Sequence, residues 1–206
     1  QTNLPLILST GMASLAEIEH ALRVVGFGMA EPGRDFCEQQ AEQKFIGAAV
    51  QDLLREKVSI LHCSTEYPAD VAGVHLRVME TLETAFRLTV GYSDHTAGIA
   101  VSVAAAARGA RIIEKHFTLN RALKGPDYLV SLEPKEFEEM TQAIGKIYLA
   151  LGDEKKLHEQ EIQVKDWAHH SVVAVKNIKK GDVINKGMIS VKRPGSGIPA
   201  KNLEKL

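Results

Sequence analysis

Four short apolar runs recur along the first three quarters of the chain, at residues 4–8, 58–63, 88–92 and 111–114. Each is too short for an amphipathic helix, has an apolar centre and is closed by a polar or glycine-containing turn, so each predicts a buried strand. Between them the period changes to 3.6. Ser14 with Glu17 predicts a capping box, and Leu15, Ile18, Leu22 and Val25 follow at helical spacing. Glycines and a proline in residues 26–34 predict a break, after which residues 42–55 read as one helix with Phe45, Ile46, Ala49, Leu53 and Leu54 on a single side. A further helix over 74–85 carries Val78, Leu82 and Ala85. Another over 99–108 is rich in alanine and has Gly109 just past its end, and Pro134 opens one with Phe137, Met140, Ile144 and Ile147.

Strands that alternate with helices, each apolar enough to be buried on both faces, predict a parallel α/β sheet. Four βα units are half of a (β/α)8 TIM barrel, which takes about 250 residues when complete. The reading is therefore the last four units of such a barrel over residues 1–152, with an atypical insertion over about 26–57. The strand pattern starts almost at residue 1, which is Gln rather than Met, so the chain reads as starting inside a fold and truncated at both ends. A half barrel leaves two raw edges, and its missing strands must come from elsewhere. Past Gly152 the composition shifts. Residues 153–170 are charged and read as a linker or a solvated helix; residues 171–206 read as a small β-rich domain with strands at 171–175 and 189–192 and a turn at 178–182.

Composition excludes several classes. With 45% hydrophobic and 25% charged residues the 206-residue chain is of globular type, and a net charge of −1 argues against nucleic acid or an anionic membrane as its main partner. No apolar run approaches the roughly 20 residues of a membrane span. The two cysteines, Cys37 and Cys63, read as free thiols in a reducing cytoplasm.

The candidate chemistry lies at the strand ends. Each strand closes on a polar cluster: Ser9-Thr10, residues 64–67, residues 93–96 and residues 114–116. Catalytic groups of a (β/α)8 barrel sit at those carboxyl ends. His95 and His116 are one βα repeat apart and project from neighbouring strands roughly 4.8 Å apart, where they either share a divalent ion or are hydrogen-bonded separately. Ser9 and Ser93, with the turn at Gly11, offer donors suited to a phosphate, or are ordinary turn residues. Asp127 is a base or a turn former, and Arg193 a guanidinium clamp or a surface charge. His62 reads as a satisfied core histidine, Trp167 as packing of the small domain, and His169-His170 as an improbable metal pair.

At residues 7–12 (ILSTGM), 61–68 (LHCSTEYP), 90–96 (VGYSDHT), 113–118 (IEKHFT), 125–127, 131–134 and 192–198 (KRPGSGI) the sequence resembles the sialic acid synthase family, which includes the N-acetylneuraminate and legionaminic acid synthases. The resemblance covers about residues 4–22 and 58–206. It implies a (β/α)8 barrel followed by an antifreeze-like SAF domain, in dimers where each small domain covers the partner's barrel. It implies condensation of phosphoenolpyruvate with an N-acylated amino sugar, with His95 and His116 holding Mn2+ or Mg2+. It further implies that Ser9, Thr65 and Ser93 line the phosphoenolpyruvate site, that Tyr67 and Asp127 face the sugar, that Glu114 supports the metal site, and that Arg193 reaches the N-acyl group from the partner. Thr65 departs from the asparagine of some members, and the Thr-Glu-Tyr-Pro wording is nearer the legionaminic branch. The alternatives are another phosphoenolpyruvate-dependent aldol synthase and a non-catalytic sugar- or partner-binding fragment. The isolated piece is expected to be inactive.

Overall fold

The structure is a computed structural model that describes residues 4–205, Asp166 by its backbone alone. The chain divides into two compact units at Gly152.

The first unit is a parallel sheet in the order β1-β2-β3-β4, formed by Leu6–Ser9, Val58–Cys63, Thr89–Asp94 and Ile113–Lys115. Its register sets Leu8 beside Ile60, Ile60 beside Val90, and Tyr92 beside Ile113. These residues all point to one face, because side chains alternate along a strand. Helices cover that face: α1 (Leu15–Ala30), α3 (Ala48–Lys57), α4 (Val78–Phe86) and α5 (Ala100–Ala107). The core lies between the two layers, where Leu22, Leu54, Ile60, Leu82, Tyr92 and Ala105 are at most 1% exposed. Helix α6 (Pro134–Leu151) packs beside α5. The opposite face carries Ile7, Ser9, Cys63, Ser93 and Glu114. Ile7 is 53% exposed there, so this face is open at the β1 edge in the described chain, while Leu61 and Ser93 in its middle are buried.

The helices depart from the sequence reading in informative ways. The Ser14–Glu17 capping box forms, but α1 runs through Gly26 to Ala30 instead of breaking. Gly26 serves packing: a Cβ there would lie 2.7 Å from Val50 Cγ1, so the missing side chain lets α1 approach α3. The single helix expected over 42–55 is two, α2 (Glu38–Phe45) and α3, broken at Ile46-Gly47. The break rotates the apolar face, so Val50 and Leu54 are buried and Ile46 is 81% exposed. The helix expected from residue 74 starts at Val78, because His75 takes φ +49°, and Ala85 faces solvent while Met79 and Leu82 are buried. Pairing with β3 begins two residues before β4, with the Arg111 amide donating to the Val90 carbonyl and the Tyr92 amide to the Ile112 carbonyl, both at 2.9 Å.

In the second unit the charged stretch contains a helix, α7 (Glu159–Ala168). Strands β5 (Ser171–Ala174) and β6 (Ile189–Lys192) pair antiparallel. His169 caps α7, and His170 precedes β5 rather than lying in it. Trp167 is 57% exposed, with the Arg193 guanidinium 5.6 Å above its ring. Both cysteines are free thiols. Among the described residues no helix is long and apolar enough to cross a membrane.

Candidate functional site

The open face of the sheet gathers the candidate residues at its carboxyl end. Cys63, Ser93 and Glu114 are register partners across β2, β3 and β4 and share that face. The two residues that follow at the same parity, His95 after Ser93 and His116 after Glu114, therefore leave their strands on the same side. Their imidazole centroids are 5.2 Å apart at 79°.

The two imidazoles are held differently. His95 is 5% exposed, and its Nδ1 lies 2.9 Å from the Ser64 carbonyl. A carbonyl only accepts, so Nδ1 carries the proton and Nε2 presents its lone pair. His116 Nδ1 lies 3.9 Å from Asp127 Oδ2, and Asp127 sits at φ +56° in the turn after β4. Tyr67 closes the group. Its ring lies 4.1 Å from that of His95, nearly parallel, and 5.6 Å from that of His116, edge-on. Burial, and then the negative potential of Cys63, Asp127 and Glu114, raises the Tyr67 pKa above the usual phenol range. The phenol therefore stays a neutral hydrogen-bond donor at pH 7.

Beneath the histidines, Ser93 Oγ donates to Glu114 Oε1 at 2.6 Å. That bond fixes both groups and leaves Glu114 Oε2 without a partner among the described residues. Thr65 joins through Cys63, whose Sγ lies 3.9 Å from Thr65 Oγ1 and 3.8 Å from His95 Nδ1. Gly11 explains how β1 reaches this cluster: a Cβ there would fall 2.2 Å from Thr65 Oγ1 and 3.1 Å from Cys63 Sγ. Ser9 is on the same face but pairs with Leu61, one pleat short of the Cys63–Ser93–Glu114 row. Arg193 belongs to the second unit, with its guanidinium over Trp167.

The structure thus brings together Tyr67, His95, His116, Asp127, Ser93, Glu114 and Thr65, and places Ser9 at the edge of that group. His62 points the other way. It is 8% exposed, its Nε2–H donates to the Val74 carbonyl at 2.6 Å, and burial lowers its pKa despite that bond.

Sequence reasoning passed over two features. Cys63 is half-buried beside His95 rather than sealed in the core. Behind the histidines, Asp94 and Lys115 form an ion pair at 3.1 Å with both side chains fully buried. The signal for it was present: opposite charges stand one residue before each histidine, at positions that alternation turns to the helix side.

Two imidazoles, one of them tied through Nδ1 so that Nε2 faces outward, offer two nitrogen donors to a divalent ion and leave its other positions open to water or substrate. Among the described residues no set of three or more His, Cys, Asp or Glu side chains is placed to hold such an ion.

Both units of the chain are similar to known proteins. Residues 169–206 match the SAF domain. The N,N'-diacetyllegionaminic acid synthase of Campylobacter jejuni is 43% identical over 203 residues, 98% of this chain and 54% of that protein. The synthase of the same name from Legionella pneumophila is 36% identical, over 98% of this chain and 51% of its own length. A crystal structure of the N-acetylneuraminic acid synthetase of Leptospira borgpetersenii, in complex with citrate, superposes with a TM-score of 0.58. It is 31% identical, with 78% of this chain and 48% of that one covered. The chain spans about half the length of the curated relatives it matches. Residues 1–156 match the NeuB family, and the chain belongs to that family.

Proposed function

We propose that this chain is the second half of a (β/α)8 barrel, with its SAF domain, from a nonulosonic acid synthase that condenses phosphoenolpyruvate with an N-acylated amino sugar and releases phosphate. The observation that carries the reading is the paired His95 and His116 imidazoles, 5.2 Å apart above the Ser93–Glu114 bond in a NeuB-family chain. The names of the 43% and 36% identical relatives favour a diacetamido sugar of the legionaminic type as the acceptor.

His95 and His116 are the residues that would hold Mn2+ or Mg2+, which when bound would polarise the sugar's open-chain aldehyde as a Lewis acid. The remaining steps belong to the chain's own groups. Ser9 and Thr65 donate to the phosphate of phosphoenolpyruvate, and Ser93 joins them when its single hydroxyl proton turns away from Glu114. Tyr67, held neutral, donates to the sugar, and Asp127 accepts a sugar hydroxyl while steadying His116. The enol carbon attacks the aldehyde carbon and forms the new C–C bond. Water adds to the cation left at the phosphate-bearing carbon, Glu114 Oε2 is the free acceptor for its proton, and the alkoxide formed at the former aldehyde oxygen takes up one proton in return. The tetrahedral carbon then expels phosphate. Arg193, carried by the SAF domain of a partner in a homodimer, reaches the N-acyl group in this reading.

Phosphate release tests it. The 206 residues are assayed alone and preceded by the N-terminal half of the 43% identical Campylobacter relative, with phosphoenolpyruvate, Mn2+ and a diacetamido sugar. The completed chain is expected to release phosphate only when the sugar is present. His95→Ala and His116→Ala should each lower the rate by at least about 100-fold, the scale of losing one electrostatic group at the reacting carbonyl. The 206 residues alone should show no turnover. Robust turnover by either histidine variant would remove the pair from the chemistry.

A further inference from the structure

The buried Asp94–Lys115 pair has no part in the chemistry above, yet it stands directly behind it. We propose that Lys115 is a strut that sets the spacing of His95 and His116, making Asp94 and Lys115 positioning residues of the site. This rests on the reading that the two histidines act together.

The connections run as follows. Lys115 Nζ lies 3.1 Å from Asp94 Oδ2 and also donates to the Thr96 carbonyl. It therefore grips the residue before His95 and the residue after it, while its own chain continues directly into His116. Asp94 is fastened from every side. Its Oδ1 accepts from the Thr96 amide and hydroxyl, both at 2.8 Å, and its Oδ2 accepts from Ser102 Oγ on α5 at 2.5 Å. Tyr92 OH lies 3.5 Å from Oδ1. Asp94, Thr96, Ser102 and Tyr92 are all 0% exposed. Strand β4 is three residues long and ends at Lys115, so little ladder remains to hold its end against β3.

Energetics point the same way. A buried ion pair is weak evidence for stability, because desolvation offsets most of the Coulomb attraction, and apolar residues of similar volume often serve as well. What such a pair supplies is geometry: two short, charge-assisted contacts fix one loop conformation where an apolar contact would allow several. Here the fixed element is a three-residue loop whose middle member is His95.

The test uses the 206-residue chain, metal-free and then with Mn2+. Lys115→Met alone leaves Asp94 uncompensated and can unfold the chain. The informative variant is Asp94→Asn with Lys115→Met, which removes both charges, conserves shape and keeps an acceptor for Thr96. Leu82→Ala serves as a control that destabilises the core elsewhere. In wild type, cross-relaxation between the His95 and His116 ring protons is expected in nuclear magnetic resonance spectra. In the folded double variant it should disappear while the His62 resonances stay in place, and Leu82→Ala should retain it. Mn2+ affinity should fall about 10- to 100-fold in the double variant, the usual scale for groups that orient metal ligands. In a His116→Ala background the same change should cost no further affinity, because there is no pair left to space. Retention of the His95–His116 cross-relaxation in the folded double variant overturns the strut. If wild type binds no Mn2+, the metal reading of the site fails, and the metal-free spectra still decide the strut.

Discussion

His62 and His95 come from adjacent strands and have opposite fates, and parity explains both. His62 falls on the helix side with Ile60 and is neutralised by burial; His95 falls on the open side with Ser93. The His62 pKa is depressed in the fold, so the unfolded chain binds more protons than the native one as pH drops. Its contribution to stability is present above the unfolded value of about 6.5 and is lost as pH falls through the folded value. The urea midpoint of the chain should therefore decrease between neutral pH and pH 5. His62→Gln, which keeps a donor for the Val74 carbonyl, should flatten that decrease, and an unchanged slope would place the acid sensitivity elsewhere. At this scale much of the candidate site was legible, because the four polar strand ends contain Ser9, Thr65, Tyr67, Ser93, His95, Glu114 and His116. The Asp94–Lys115 pair has the same one-repeat spacing as the two histidines, but it escaped because its members turn to the helix side, where apolar residues are expected.

Among the elements, strands were easier to read than helices. A strand buried on both faces announces itself by a continuous apolar run, whereas glycine has two meanings in a helix. Gly26 was read as a breaker, yet it lies inside α1 at the contact with Val50. Gly28, two residues on, has nothing within 4 Å of the place its Cβ would occupy. Gly28→Ala should therefore stabilise the chain by about 0.5–1 kcal/mol through helix propensity alone. At Gly26 the same gain meets an overpacking cost of about 1–3 kcal/mol, so Gly26→Ala should be neutral or destabilising. Equal gains at both positions in thermal denaturation would contradict this packing. Gly91 is the stricter case. A Cβ there would lie 2.5 Å from the Ile112 carbonyl oxygen and 2.5 Å from Leu61 Cδ2. A backbone oxygen yields only if β4 moves, so Gly91→Ala should cost about 2 kcal/mol or more and shift His116 with its strand.

For the whole molecule, the parallel sheet with helices on one face and catalytic candidates at its carboxyl end follows from the βα rhythm of the sequence. The rhythm could not show which face the helices cover, because strands apolar on both sides carry no such mark. The proposed barrel gives the open face a purpose: Ile7 and Leu61 would line its interior, and Ser9, Ser93 and Glu114 its mouth. The most direct test compares acceptors in the completed chain, measuring phosphate release and product mass with a diacetamido sugar, with N-acetylmannosamine, and with unacylated aldose phosphates. Release that requires an N-acylated sugar, with a product heavier by the pyruvyl unit, is the predicted result. Turnover with an unacylated aldose phosphate and none with any N-acylated sugar would contradict the account and make this half barrel part of a different aldol synthase.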